Sequence, residues 1–148
     1  MAHFDALLIN VGDQTYAMPL VQIQEIRGWT PVSPLPNTDA ACLGVLNLRG
    51  NVLPVFDARR ILGKPTPEPR PQDVIVVSVT HDKPLGLLVD GVSDIVGIDS
   101  DNVTGSGEHE MWSSDLVEGI ATVGEQLIPL LALGNFTGSR LPALPQAA

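Results

Sequence analysis

Arg49 is the side chain best placed to do chemistry. It stands at the apex of a short turn, Arg49-Gly50-Asn51, between two apolar stretches, Val45–Leu48 and Val52–Phe56. Gly and Asn accept the positive φ of a tight turn, and alternating apolar residues on both sides read as the strands of a hairpin. A guanidinium held out there is permanently charged and suited to planar recognition of a carboxylate or a carbonyl. Glu25 is the second candidate. It belongs to Val21–Ile26, which alternates apolar and polar residues, the period of a strand with one wet face. Spacing alone makes it a solvated edge charge. The other reactive types are not assembled. His3, His81 and His109 share no metal-ligand spacing with Cys42, which reads as a buried, inert thiol. Gly105-Ser106-Gly107 lies in a polar stretch and precedes no helix, so it is no phosphate cradle. Asp90 and Asp94 fall on a strand-like stretch where they need not meet. With no nucleophile–base pair, the expected activity is binding without catalysis, with no cofactor and no metal.

The elements that carry these residues come in two copies. The hairpin Gly44–Asp57 recurs without a gap as Gly119–Ala132: Gly44 falls on Gly119, Pro54 on Pro129, and Val45, Leu48, Leu53 and Val55 on Ile120, Val123, Ile128 and Leu130. Before each copy, Asp13–Ile26 is echoed by Asp82–Ile95. Two echoes in the same order imply a duplicated all-β unit. At 148 residues the chain suits one domain or two small subdomains sharing a core. It is 44% hydrophobic but only 4% aromatic, so that core is built of Val, Leu and Ile. The net charge of −9 argues against nucleic acid, whose phosphates need Lys and Arg, and against an anionic membrane surface. One cysteine excludes an internal disulfide framework. The opening Met1–Asp5 has no basic or apolar leader character, and no apolar run reaches the length of a membrane span, so a soluble cytoplasmic protein is expected.

Along the chain, Phe4–Val11 and Thr15–Leu20 read as a hairpin about Gly12-Asp13-Gln14, followed by the strand Val21–Ile26. Trp29–Asn37, with Pro31, Pro34 and Pro36, reads as a loop. Pro54 cannot donate to a ladder, which predicts an edge strand or a bulge there. Ala58–Gly63 reads as one or two helical turns with Asp57 as N-cap and Gly63 as C-cap. Lys64–Pro71, with a proline at every second position, reads as a stiff extended linker between halves. Val74–Val79, Leu85–Val89 and Val92–Ile98 follow as strands, then a polar loop Asp99–Glu110, Met111 and Trp112 as either an apolar loop anchor or a partner contact, the second hairpin, and a short flexible tail over 137–148.

These motifs also carry a resemblance. Gln22–Arg27, Leu43–Asp57 and Leu88–Ile95 resemble, in the right order, the CheW family of chemotaxis coupling proteins, and the likeness runs from about Phe4 to Phe136. The resemblance implies two SH3-like five-stranded barrels packed about a shared hydrophobic core, with short helical turns between strands. It implies a CheW-like domain over 4–136, with about 1–70 as first barrel, about 71–136 as second, and room for strand exchange. It implies an adaptor, not an enzyme, that joins the cytoplasmic tip of chemoreceptors to the regulatory domain of a CheA-type histidine kinase, at receptor arrays under the inner membrane and without inserting in it. By the same resemblance Arg49 supports receptor and kinase coupling and pairs with Glu25. A turn-apex Arg and a Glu on a wet strand face can indeed meet across a sheet. Ile23, Gly44, Val74, Ile75, Gly86 and Ile95 fall in or beside a receptor groove between the barrels, where a helix would lay its apolar stripe; read singly, each is equally well a core residue.

The sequence departs from the family pattern at Asp39–Cys42, where a Pro and bulkier apolar residues are usual, and at Ala58, where Leu is common. Little chain follows Leu133, which would abbreviate a C-terminal helix seen in some relatives. An adaptor of a type IV pilus chemosensory system remains an alternative. So does a sensory barrel that binds a small ligand through Asp99–Glu110.

Overall fold

The computed structural model describes residues 3–36, 40–65, 67–80, 83–105 and 116–132. Their strands are β1 (His3–Val11), β2 (Gln14–Pro19), β3 (Ile23–Gly28), β4 (Cys42–Leu48), β5 (Asn51–Asp57), β6 (Val74–Thr80), β7 (Lys83–Val89), β8 (Gly91–Asp99), β9 (Val103–Gly105), β10 (Val117–Val123) and β11 (Gln126–Leu131), with one short helix, α1 (Ala58–Ile61). They form two sheets, ordered β3-β6-β7-β5-β4 and β8-β1-β2-β11-β10-β9. Each curls toward a barrel, because the chain leaving one edge strand supplies a partner for the other edge. After β3, Ser33 bridges to Val45 of β4; after β8, β9 pairs with β10.

Three apolar clusters account for the architecture. Leu46, Leu48, Leu53, Val55, Ile75, Val77 and Leu88 fill the first barrel. Ala6, Leu8, Ala17, Ile98, Ala121, Ile128 and Leu130 fill the second. Between them lies a shared core that includes Leu7, Ile9, Met18, Phe56, Val76, Leu87 and Val89. Along β1 the residues alternate between the second barrel's interior and the shared core, and β6 alternates likewise between the first barrel's interior and that core. This is why Val74–Val77 reads as a continuous apolar run: both faces are covered, and only Val79 at the end of the run is exposed.

The duplication is visible in the pairing register. Gly44 faces Val55 across a bulge at Cys42, and Gly119 faces Leu130 across a bulge at Val117. Val55 pairs in parallel with Gly86, and Leu130 in parallel with Ala17. Glu25 faces Val77 and Ile23 faces Ser78; Asp94 faces Leu8 and Val92 faces Ile9. Every pair maps onto its counterpart under the two sequence echoes. The copies have, however, exchanged strands. β1 and β2 of the first repeat build the second sheet, and β6 and β7 of the second repeat build the first. The strands of each barrel therefore come from both sides of the linker, and the sequence halves about 1–70 and about 71–136 do not coincide with the two sheets.

Several local expectations change. Leu20–Gln22 is a turn of 3-10 helix, and β3 starts only at Ile23, because here the chain crosses from one sheet to the other. Pro54 lies on an inner strand; the bulge is in its partner β4, and the parallel ladder to β7 begins only at Val55, past the missing N–H. The stretch expected as a loop from Asp99 contains a 3-10 turn, Ser100–Asn102, capped by the Asp99 side chain, and then β9. The rest of that loop, with His109, Met111 and Trp112, lies outside the described residues, as do His81 and the tail.

Gly44 is where the first barrel closes. Its φ is +147°, and a Cβ there would stand 2.3 Å from the Ser33 carbonyl oxygen. Gly124, at φ +62°, has open space around it. Gly44→Ala is therefore expected to lose about 2 kcal/mol or more in urea unfolding, and Gly124→Ala only about 1 kcal/mol, the ordinary cost of a left-handed backbone.

Candidate functional site

β3 and β4 are the two edges of the first sheet, and curling brings their side chains together at the seam. Arg49, the residue after β4, donates from Nη2 to Oε1 of Glu25 on β3. The other Glu25 oxygen, Oε2, accepts from Arg27 Nη1 at 3.3 Å. Two arginines thus share one carboxylate, leaving a net positive spot on an acidic chain. The Arg49 side chain is 68% exposed and Glu25 25%. Asn47 Oδ1 accepts from the Gly50 N–H at 2.9 Å and shapes the turn. Arg49 itself is left-handed, φ 53°, and is the one such non-glycine among the described residues. The duplicate supplies a control: the matching position is Gly124, at φ 62°. The fold needs a left-handed residue at this point of the hairpin, and only the first copy places a cation there.

The expected pairing of Arg49 with Glu25 is thus present, across the seam between edge strands rather than between neighbours in the ladder. The expected groove residues are placed differently from one another. Ile75 is wholly buried in the first barrel, and a Cβ on Gly86 would stand 3.1 Å from Ile75 Cγ2, so both face that interior. Gly44 is buried at the β4 bulge. Ile23 and Val74 are half-buried at the margin of the shared core. Ile95 is 53% exposed on β8, the counterpart of Ile26 on β3. Only Ile23, Val74 and Ile95 offer surface.

Sequence reasoning missed Arg59. It was expected as an ordinary helix residue, but its side chain is 1% exposed. Asp57 caps α1 as anticipated, its Oδ1 accepting from the Arg59 N–H. The same carboxylate grips the guanidinium as a fork, from Nε at 3.0 Å and Nη2 at 3.1 Å. Nη1 lies 3.5 Å from Asp73 Oδ2 and 3.3 Å from Asp90 Oδ1. Arg70 joins from outside at 3.2 Å from Asp73. Asp90 Oδ2 accepts from the Gly12 N–H of the β1–β2 turn at 3.2 Å. The cluster so joins α1, the end of the linker, the crossing from β7 to β8 and the second barrel. Burial disfavours the Arg59 charge, but the Asp57 hydrogen bond and the charges of Asp57, Asp73 and Asp90 outweigh it and raise its pKa. A cation whose pKa is raised loses its contribution only as pH climbs past an already extreme value, so Arg59 stays charged wherever the protein is folded. Three aspartates spread from 57 to 90 around one arginine were the available signal, but no spacing links them.

Residues 5–139 match the family described as CheW-like domain. The probable chemotaxis protein CheW of Rhizobium etli is 37% identical over 133 residues, 87% of this chain and 84% of the relative. The chemotaxis protein CheW of Bacillus subtilis is 25% identical over 126 residues, 84% of this chain and 81% of the relative. The fold matches the crystal structure of the scaffolding protein TtCheW from Thermoanaerobacter tengcongensis with a TM-score of 0.86 at 20% identity, over 93% of this chain and 94% of that one. The chain belongs to the CheW-like family, the adaptors that couple receptors and a CheA-type kinase in chemotaxis. The two barrels are that family's SH3-like pair. No helix among the described residues is long and apolar enough to cross a membrane.

Breaking the Arg59 cluster leaves the Asp57 carboxylate buried without a counter-charge and Asp73 with only the half-exposed Arg70. Arg59→Met is expected to cost about 3–5 kcal/mol in urea unfolding, and Asp90→Asn less, since that carboxylate is partly solvated and the amide oxygen can still accept from Gly12. Arg49→Met, on the exposed pair, should change stability by less than about 1 kcal/mol.

Proposed function

We propose that the Arg49–Glu25 pair is the contact through which this adaptor engages the regulatory domain of a CheA-type kinase and the cytoplasmic tip of chemoreceptors. The observation that carries the reading is the left-handed arginine. An exposed ion pair contributes only about 0.2–1 kcal/mol. A non-glycine residue in that conformation costs about 1–3 kcal/mol. The fold would be at least as stable with glycine there, as it has at Gly124. The arginine is therefore explained by what it presents, not by what it stabilises. Glu25 fixes the direction of the guanidinium, and Arg27 holds Glu25 in turn.

The receptor would lie between the barrels, its helical hairpin laying an apolar stripe over Ile23, Val74 and Ile95. Gly44, Ile75 and Gly86 would shape that wall from behind, by packing rather than by contact. On this reading the protein has no catalytic activity and works in the cytoplasm, at receptor arrays beneath the inner membrane, without binding nucleic acid.

Titration of the kinase regulatory domain against wild type, Arg49→Ala and Arg49→Gly tests the assignment. Both variants are expected to bind about tenfold more weakly, a loss of about 1.4 kcal/mol. Arg49→Gly should unfold at the same temperature as wild type or higher. Wild-type affinity in both variants would overturn the reading, and so would global unfolding of Arg49→Gly.

A further inference from the structure

The two barrels keep the same carboxylate at the same place but not its partner. Glu25 and Asp94 are equivalent under the echo that pairs Asp13 with Asp82. Each adjoins a bulge in an edge strand, β3 or β8, opposite an interior residue of its barrel, Val77 or Leu8. Each is followed by an exposed isoleucine, Ile26 at 43% and Ile95 at 53%. In the first barrel the carboxylate is taken within the chain, by Arg49 and Arg27. In the second, Gly124 and Val96 stand at the positions of those arginines. Asp94 Oδ1 accepts from the Ile95 N–H at 2.8 Å, and among the described residues Asp94 forms no ion pair. Its own sheet supplies no cation. The strands of the second sheet hold Asp5, Asp94, Asp99 and Glu118, and neither Lys nor Arg.

We propose that Asp94 is a specificity-determining residue of the receptor-facing surface, and that it selects a helical hairpin carrying an arginine or lysine beside its apolar stripe. A carboxylate has roughly four lone-pair sites, and the Ile95 N–H takes one while fixing the direction of the group. Asp94 is exposed and so has capacity for a cation. Val92, at 39%, and Ile95 expose apolar surface on either side of it. A partner that buries those two side chains must cover the charge between them. Covering a carboxylate without a counter-charge is costly, so a purely apolar segment is rejected and a cationic one accepted. The first barrel shows what this position takes when the chain itself provides it: the guanidinium of Arg49. In the second barrel the charge has been left for a partner to match. This assignment rests on the receptor reading, in which the hairpin lies over Ile95.

Titration of a receptor's cytoplasmic hairpin against the full chain, over a range of ionic strength, tests it. Asp94→Asn keeps an oxygen for the Ile95 N–H and removes only the charge. It is expected to weaken binding about fivefold to tenfold and to flatten the salt dependence, as for loss of one interfacial charge. Gly124→Arg offers Asp94 a cation from within the chain, at a turn with φ +62° and open space around it, where β10 lies against β8. It should weaken binding by a similar factor. Gly124→Ala, which changes the same turn without a cation, should bind as wild type does. So should Asp101→Asn, which removes a charge beyond the far end of β8. Replacing the hairpin's cations by Gln one at a time should find one whose loss weakens wild type as much as Asp94→Asn does, and weakens Asp94→Asn no further. Wild-type affinity and salt dependence in Asp94→Asn would overturn the inference and leave the receptor reading in place. Failure of the hairpin to bind the wild-type chain would overturn both.

Discussion

Everything in this molecule rests on one shared apolar seam. A barrel of some seventy residues buries too little surface to be secure alone. Here neither barrel has to be. Leu7, Ile9 and Met18 project from the second sheet into the same cluster as Phe56, Val76 and Leu87 of the first. The strand exchange makes the arrangement obligatory. Because β1 and β2 are covalently continuous with β3 across Leu20–Gln22, and β7 with β8 across Asp90, neither sheet can be completed without the other. The seam thus fixes how the two barrels sit, and any surface formed between them inherits that placement.

The duplication turns the chain into its own comparison. Where both copies keep the same feature, the barrel demands it. The bulge before Gly44 and Gly119, the parallel step at Val55 and Leu130, and the tight contact of Gly44 with Ser33 and of Gly119 with Thr104 are all of this kind. Where the copies differ, the barrel is indifferent and something else has chosen. Arg49 against Gly124 is one such difference, and it lies on the surface. Arg59, with its three aspartates, is another: in the sequence echo Gly134 stands at its position and Ala132, Phe4 and Val21 at those of the aspartates. Glu25 differs less: its counterpart Asp94 keeps a carboxylate but accepts from the backbone N–H of Ile95 at 2.8 Å, and the positions matching Arg49 and Arg27 are Gly124 and Val96.

Much of this was legible in the residues. The hairpins, the Asp57 cap and the duplication follow from alternation, turn chemistry and repeat, all of which are local or periodic signals; the meeting of Arg49 with Glu25 was implied by the family resemblance, since spacing alone leaves Glu25 a solvated edge charge. What was not legible depends on the third dimension. Strand exchange leaves no mark on composition, because an exchanged strand pairs with the same pattern as an unexchanged one. Arg59 sits in a sequence typical of an exposed helical turn, and its partners at 73 and 90 are brought in by the linker and by β7. Ile75 and Gly86 were candidates for a groove because strand residues of a doubly covered run give no alternation to say which face is which. Val21 looked like a strand residue because the alternation runs straight through the crossing, although the backbone turns there.

The two charged clusters of the first barrel show how differently the same groups can be used. Around Arg59 the Asp57 and Asp73 carboxylates are desolvated, the guanidinium is held as a fork, and removing the arginine strands a buried charge; the cluster holds four chain segments in register. Around Arg49 water screens the pair, little stability is at stake, and the left-handed backbone works against folding. The buried cluster secures the linker and the crossing beside the first barrel. That rigidity is what allows a single exposed arginine to be presented in a fixed direction, since a guanidinium on a long side chain specifies orientation only if its turn, its strand and the carboxylate beside it do not move.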